Sequence, residues 1–326
     1  MPRPKVAIID DYQDVARTAA DWDRLDADVT IFNAPWRDLD HTAEALQPFS
    51  VVSLMRERTA FPAELIGRLP QLRLLSMTGR RSTTLDLAAC TRHGVAVSVT
   101  DGSDSDATAE LAVGLMIACA RAIPRAADNM RRGLWQDGLP VGRALKNQVL
   151  GIVGLGRLGS RVAATGRALG MEVIAWSPNL TPERAAAGGA TLVGKAELFE
   201  RAFAVSVHMT LSDRTRGLIG RNELSRMAPG SILINTARAP LVDADALMEV
   251  LRAGRVTAGL DVFWPEPLPP GHELRSLPNV VLTPHLGYAV ADVYDWFHKA
   301  SLANIDAFLA GHPTNLLNPE ALHAAR

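Results

Sequence analysis

A chain of 326 residues, 48% hydrophobic and 21% charged, has room for two ordinary domains and the composition of a globular protein. A formal net charge of -1 supplies no pull toward nucleic acid or an anionic membrane, and 5% aromatics leaves little for base stacking, so neither partner is expected. Cys90 and Cys119 lie in unrelated segments without metal-ligand spacing, which predicts buried free thiols, a reducing cytoplasmic compartment and no metal.

Short β-like runs at 6–9, 29–32, 51–54, 72–76 and 95–99 alternate with helical patterns such as 42–47 and 62–69. That alternation predicts an α/β unit with a mainly parallel sheet. The run 6–9 is too early and too short for a signal peptide, and Asp10-Asp11 follows at once, so it reads as the first strand. Small polar residues and glycine over 100–106 predict a hinge loop, with Asp106 or Thr108 capping the next helix. The longest apolar stretch, 111–120, is too short to span a bilayer and is expected as a buried helix, one that can pack on a second subunit.

A second series of strands is expected at 149–153, 173–176, 204–208, 232–235, 257–261 and 280–283, with helices at 158–169, 222–227 and 244–253 between several of them. Six strands in sequence suit a complete doubly wound dinucleotide fold. A long helical pattern, 293–310, follows, closed by Gly311 and Pro313.

The most informative stretch is Val149-Leu150-Gly151-Ile152-Val153-Gly154-Leu155-Gly156-Arg157-Leu158-Gly159. An apolar run suited to a strand buried on both faces breaks into G-x-G-x-x-G and continues as a helix. Gly154 permits the turn, Gly156 lets a pyrophosphate approach the backbone, and Gly159 lets the helix pack on the strand. The helix opening near Arg157 aims unpaired N–H groups at that phosphate.

Ligands of open parallel sheets sit beyond the carboxyl ends of the strands. There, three neighbouring strand ends lead into Thr236-Ala237-Arg238, Val262-Phe263-Trp264-Pro265-Glu266 and Pro284-His285. An arginine, a carboxylate and a histidine are what reduction of a 2-oxo acid needs. Arg238 can grip a carboxylate bidentately, His285 can hand a proton to the carbonyl oxygen, and Glu266 favours the charged imidazolium. Taken singly, Arg238 can instead pair with Asp243, Glu266 can be a solvated loop carboxylate, and His208, which also ends a strand, rivals His285.

These segments are similar to the three signatures of the D-isomer-specific 2-hydroxyacid dehydrogenases: Asn235-Thr236-Ala237-Arg238-Ala239-Pro240-Leu241-Val242-Asp243, Ala258-Gly259-Leu260-Asp261-Val262-Phe263 with Glu266-Pro267, and Thr283-Pro284-His285-Leu286-Gly287. The resemblance covers essentially the whole chain. Within the family it points to short-form glyoxylate/hydroxypyruvate reductases and to phosphoglycerate dehydrogenases without a regulatory domain. It implies two doubly wound parallel-sheet domains, a Rossmann cofactor domain (102–290) inserted into a flavodoxin-like substrate domain (1–101 and 291–326). It implies Arg238 as substrate anchor, Glu266 and His285 as acid/base pair, and Asp261 as a ligand of the nicotinamide amide. The expected cofactor-binding set is Thr108, Gly154, Gly156, Arg157, Leu158, Gly159, Ser177, Asn179, His208, Thr236, Ala237, Asp261 and Gly287. A homodimer, formed through the cofactor domain and an arm containing Arg132-Gly133-Leu134-Trp135, is also implied.

Two departures stand out. The loop that holds the substrate carboxylate usually has two glycines; here it reads Thr78-Gly79-Arg80-Arg81-Ser82. Arg80 and Arg81 either add contact, crowd the pocket or form a solvated pair, and Arg56 and Arg58 occupy another position used for anionic substrates. The second strand of the cofactor domain ends in Trp176-Ser177-Pro178-Asn179, without the acidic residue that favours NAD, and Arg184 lies close by. NAD and NADP therefore both stay open. The expected activity is hydride transfer between NAD(P)H and a small 2-oxo acid, with domain closure around the substrate; the alternative is a dinucleotide-sensing, corepressor-like binding protein. The oxo acid's own side chain is left open by the residues Arg80, Arg81, Trp264, Tyr288 and Trp296.

Overall fold

The computed structural model describes residues 3–102 and 105–323, so two residues of the expected hinge loop lie outside the described residues. The chain forms two compact units, Met1–Ser105 with Val290–Arg326, and Asp106–Ala289.

In the first unit the strands are β1 (Lys5–Ile8), β2 (Asp28–Ile31), β3 (Val51–Leu54), β4 (Leu74–Met77) and β5 (Ala96–Val99). They pair in parallel in the order β2-β1-β3-β4-β5, the flavodoxin-like arrangement. β3, β4 and β5 are buried at every position, which is why they read as mostly apolar runs, each with one serine (Ser53, Ser76, Ser98), and not as alternation. One face packs on Leu65, Ile66 and Phe61, the other on Trp22 and on Leu302 and Ile305 of the long helix Ala291–Leu309. The exposed edge of β5 is covered by the chain near residue 316. There Asn318, itself buried, accepts the Val97 N–H at 2.8 Å and donates to the Val95 carbonyl at 3.0 Å, so its amide stands in for a further strand.

The second unit contains β6 (Val149–Val153), β7 (Glu172–Trp176), β8 (Thr191–Leu192), β9 (Ala204–Val207), β10 (Ser231–Asn235), β11 (Val256–Leu260) and β12 (Val280–Leu282). Their order is β12-β11-β10-β9-β6-β7-β8, all parallel. This sheet has seven strands and not the expected six. The addition, β8, has only two residues, too few for any period to show in sequence. The chain reverses its direction of winding between β6 and β9, which places the ligand crevice at the carboxyl ends of those strands.

Helix Ala107–Arg121 packs Ala109, Ala112, Leu115 and Met116 into this unit. Its expected side-chain cap is absent. Asp106 holds the N-cap position but turns its carboxylate to Arg161 (3.0 Å) and Arg157 (3.4 Å), while the Thr108 hydroxyl donates to the Gly287 carbonyl at 2.7 Å. Cys90 is buried as expected; Cys119 is only half-buried, and burial pushes both thiols up to about 12. No single described helix is long and apolar enough to cross a membrane, and no group of metal-ligating side chains comes together among the described residues.

Candidate active site

Parallel pairing brings the three chemistry-bearing segments to adjacent strand ends. The ladder continues just past the strands, Asp261 N–H donating to the Asn235 carbonyl and Thr283 N–H to the Leu260 carbonyl, both at 3.0 Å. The loops after β10, β11 and β12 thus begin level with one another.

After β10, buried Asn235 braces the turn that carries Arg238. Its side chain accepts the Ala237 N–H and donates to the Arg238 carbonyl, each at 3.0 Å. Arg238 is half-buried, with one guanidinium N–H on the Ala237 carbonyl at 2.8 Å. Asp243 caps helix Ala244–Arg252 by accepting the Ala246 N–H, which accounts for its carboxylate. After β11, Glu266 accepts the Phe263 N–H with one oxygen (2.9 Å) and meets His285 Nδ1 with the other (2.6 Å). A carboxylate only accepts, so Nδ1 carries the proton and Nε2 is the ring atom left for chemistry. The His285 side chain keeps 25% of its surface, enough for a small substrate to reach it. Its backbone lies in the left-handed region, φ 54°, a conformation that costs about 1–3 kcal/mol and persists only when its surroundings enforce it. The Tyr288 ring stands edge-on to the imidazole at 5.9 Å.

His208, the rival histidine, hydrogen-bonds to Ser206 Oγ at 2.8 Å, and burial of its ring pushes the pKa down to about 4. It is neutral at physiological pH and has no imidazolium proton to give. His285 is the strand-end histidine that pairs with a carboxylate.

The glycine loop fits a dinucleotide. A Cβ on Gly154 (φ 97°) would lie 2.8 Å from the His208 carbonyl oxygen, and one on Gly159 only 2.1 Å from the Gly154 carbonyl oxygen. Nothing lies within 4 Å of that position at Gly156, the N-cap of helix Arg157–Ala168, so a pyrophosphate can approach there. Leu158 is half-buried against the core beneath, and Arg157 is exposed beside Asp106. At the end of β10, Thr236 is buried and its hydroxyl has no protein partner, a polar atom that a bound cofactor would satisfy. Ala237 packs on the core beside it. Beyond β7, Ser177 is half-buried and Asn179 exposed, and Arg184 donates to the Asn179 carbonyl at 3.3 Å. Asp261 is fully buried, and Gly287 donates its N–H to that carboxylate.

In the other unit, Arg56 sits at the end of β3 with φ 56° and its N–H on Thr78 Oγ1 at 2.7 Å. Its guanidinium lies where a Cβ on Gly79 would be, 2.0 Å from Nη1, and 5.9 Å from the Phe297 ring centroid. Gly79 has φ 85°, the left-handed region that favours glycine, and its N–H is already committed to Thr100 Oγ1 at 2.8 Å. Arg58 braces the same turn, donating to the Asp10 carbonyl and to Tyr294 and lying over the Tyr12 ring. Arg80 pairs with Asp101 at 3.0 Å with both side chains about 70% exposed, and Arg81 is exposed.

Asn235, Thr283, Thr78 and Phe297 were not singled out by sequence reasoning. Asn235 had a readable signal, an Asn at a strand end two residues before a turn amide. Phe297 had none, because nothing local ties it to Arg56.

A glycine cradle at β6, with a histidine–carboxylate pair and a guanidinium at neighbouring strand ends, fits a dinucleotide-binding oxidoreductase. The model for the NAD binding domain of D-isomer specific 2-hydroxyacid dehydrogenases matches residues 113–287. A glyoxylate reductase of Aeropyrum pernix is 35% identical over 289 residues, 86% of either chain. A hydroxypyruvate reductase of Thermotoga maritima is 35% identical over 83% of this chain and 91% of its own length. The crystal structure of a phosphoglycerate oxidoreductase from Vibrio cholerae matches with a TM-score of 0.90 at 38% identity, covering 94% of this chain and 99% of that one. The chain belongs to the D-isomer specific 2-hydroxyacid dehydrogenase family.

Two measurements test the site as described. Gly156→Ala should keep a near-native melting temperature and bind dinucleotide more weakly, whereas Gly159→Ala should lose about 1–3 kcal/mol of stability through its clash with backbone. Equal behaviour of the two variants in thermal unfolding and cofactor titration would contradict the assignment. For His208, the unfolded group takes its proton near 6.5 and the folded one resists to about 4. Its contribution is full above 6.5 and is lost as pH falls toward 4, at most roughly 3 kcal/mol. His208→Gln should therefore lose less stability than wild type between neutral pH and about pH 4.5, measured by urea midpoints. Parallel curves would show the imidazole is not held neutral.

Proposed function

We propose that this chain reduces a small 2-oxo acid to the D-2-hydroxy acid with NADH or NADPH, as a cytoplasmic homodimer. The observation that carries the reading is the 2.6 Å pair between His285 Nδ1 and Glu266, one strand end from Arg238 on the crest that begins at the glycine loop. Bound nicotinamide supplies the hydride. The Arg238 fork takes the substrate carboxylate and polarises the adjacent carbonyl. His285 passes its Nε2 proton to the carbonyl oxygen, and Glu266 holds the ring in line and balances the imidazolium. In the oxidative direction the same nitrogen takes the proton back.

The dinucleotide is assigned to Gly154, Gly156, Arg157, Leu158 and Gly159 for the pyrophosphate, with Ser177 and Asn179 at the ribose. Thr108, His208, Thr236, Ala237 and Gly287 complete the set. Asp261 Oδ2 accepts one bond and keeps a lone pair for the nicotinamide amide. Arg56 and the loop of Gly79, Arg80 and Arg81 are assigned to the substrate. Within that loop the Gly79 N–H already donates to Thr100 Oγ1. Glyoxylate and hydroxypyruvate, the acids named for the relatives, are the first substrates to test. The free thiols suit a reducing compartment.

The dimer rests on an apolar surface. Ile123, Met130, Leu134, Trp135 and Val141 are all exposed within one short stretch, beside a concavity of about 450 Å³ lined by Ile117, Ala126 and Met130. The occupant is a second copy of this chain, as the resemblance implies.

His285→Ala should lower kcat by ~100–10,000-fold with NADH affinity nearly unchanged, and Arg238→Lys should fail through lost substrate binding and rate together. Near-wild-type turnover in either variant would remove that residue from its role. Sedimentation equilibrium should give twice the 35.0 kDa chain mass, and Trp135→Asp should shift it toward the monomer. A monomeric wild type would refute the dimer.

A further inference from the structure

Accepting His285 as the proton donor, we infer that Thr283, acting through the buried carboxylate of Asp261, is the positioning residue that fixes His285 against Glu266. Asp261 is 0% exposed and is the first residue after β11, in the loop that also carries Glu266. Its oxygens reach across to the loop after β12 and hold it on both sides of His285. Oδ1 accepts the Thr283 hydroxyl at 2.6 Å and the Leu286 N–H at 2.7 Å, and Oδ2 accepts the Gly287 N–H at 2.9 Å.

Two further contacts close the clamp. The His285 N–H returns to the Thr283 carbonyl at 2.9 Å, and the Thr108 hydroxyl holds the Gly287 carbonyl at 2.7 Å. A Cβ on Gly287 would meet Thr108 at 3.1 Å and Asp261 Oδ2 at 3.3 Å, so the backbone is pressed against both. His285 is the residue inside this clamp with φ 54°, a conformation uncommon outside glycine. Glu266 is tied separately, through Phe263 N–H, to the β11 side. The carboxylate of Asp261 is thus the bond between the loop that bears the acid and the loop that bears its partner. The Thr283 hydroxyl sets which way that carboxylate faces. Asp261 thereby acts on the geometry of His285 in addition to any contact with nicotinamide.

Thr283→Val removes the hydroxyl and Thr283→Ser keeps it, and both are made in the full-length protein. Three quantities are read: steady-state kinetics, NADH affinity by fluorescence titration, and the downfield proton resonance of His285 Nδ1–H, assigned by its loss in His285→Ala. Thr283→Val should lower kcat by ~10–100-fold, leave NADH affinity and the oxo-acid KM within about twofold, and shift or abolish the resonance. Thr283→Ser should restore both rate and resonance. A wild-type rate and resonance in Thr283→Val would overturn the inference. So would a loss of NADH affinity in proportion to the loss of rate, since that result puts the whole effect on the cofactor contact. If Thr283→Val does not fold, Thr283→Ala, which also removes the hydroxyl, takes its place, with the same three quantities read and the same results expected or fatal. A resonance displaced in Thr283→Val, together with normal turnover in His285→Ala, would sink the proton-donor reading alone, because the resonance reports position and not catalysis.

Discussion

The hydrogen-bonded register that runs from β10 through β11 to β12 is the constraint on which the site depends. It sets three loops, widely separated in sequence, level at one edge of a parallel sheet. Each loop then needs only local bracing to aim its side chain. Asn235 does this for Arg238, Phe263 N–H for Glu266, and the Asp261 carboxylate for His285. A slip of one residue in the β11–β12 pairing would turn the side chains of β12 to the opposite face and separate His285 from Glu266. β12 is a half-buried edge strand, with Val280 and Leu282 packed on one side of the sheet and Val281 on the other, and its pairing with β11 holds the register.

The electrostatics divide the two strand-end histidines between different jobs. His208 stands beside the glycine loop, where its backbone fills the space against Gly154 and its buried ring is kept neutral. His285 stands beside a carboxylate and retains contact with solvent. An imidazole that must cycle between charged and neutral forms needs a partner for its charge and a route for its proton. His285 has the Glu266 carboxylate and an exposed edge, whereas the His208 ring has only the Ser206 hydroxyl and is buried.

Much of this was legible before any coordinates. The apolar runs announced the strands because parallel strands covered on both faces need no polar alternation, and G-x-G-x-x-G announced its own turn because a Cβ at Gly154 or Gly159 has nowhere to go. The reactive trio was legible because chain order plus the strand-end rule already placed Arg238, Glu266 and His285 together. What stayed hidden depends on contacts remote in sequence or on choices between partners. β8 is too short to carry a pattern. Asp106 and Thr108 looked like helix caps, yet Arg161 and the Gly287 carbonyl compete for them and win. The seating of the Arg56 guanidinium beside Gly79 and Phe297 is likewise shown by no local pattern.

The most direct measurement follows nicotinamide absorbance for the purified protein with NADH and with NADPH, against glyoxylate, hydroxypyruvate, pyruvate and bulkier 2-oxo acids, with the chirality of the product determined. Rapid cofactor consumption with at least one acid, yielding the D-hydroxy acid, is the expected result. No turnover with any of them, in a protein shown by titration to bind the dinucleotide, would contradict the assignment of Arg238, Glu266 and His285 to catalysis.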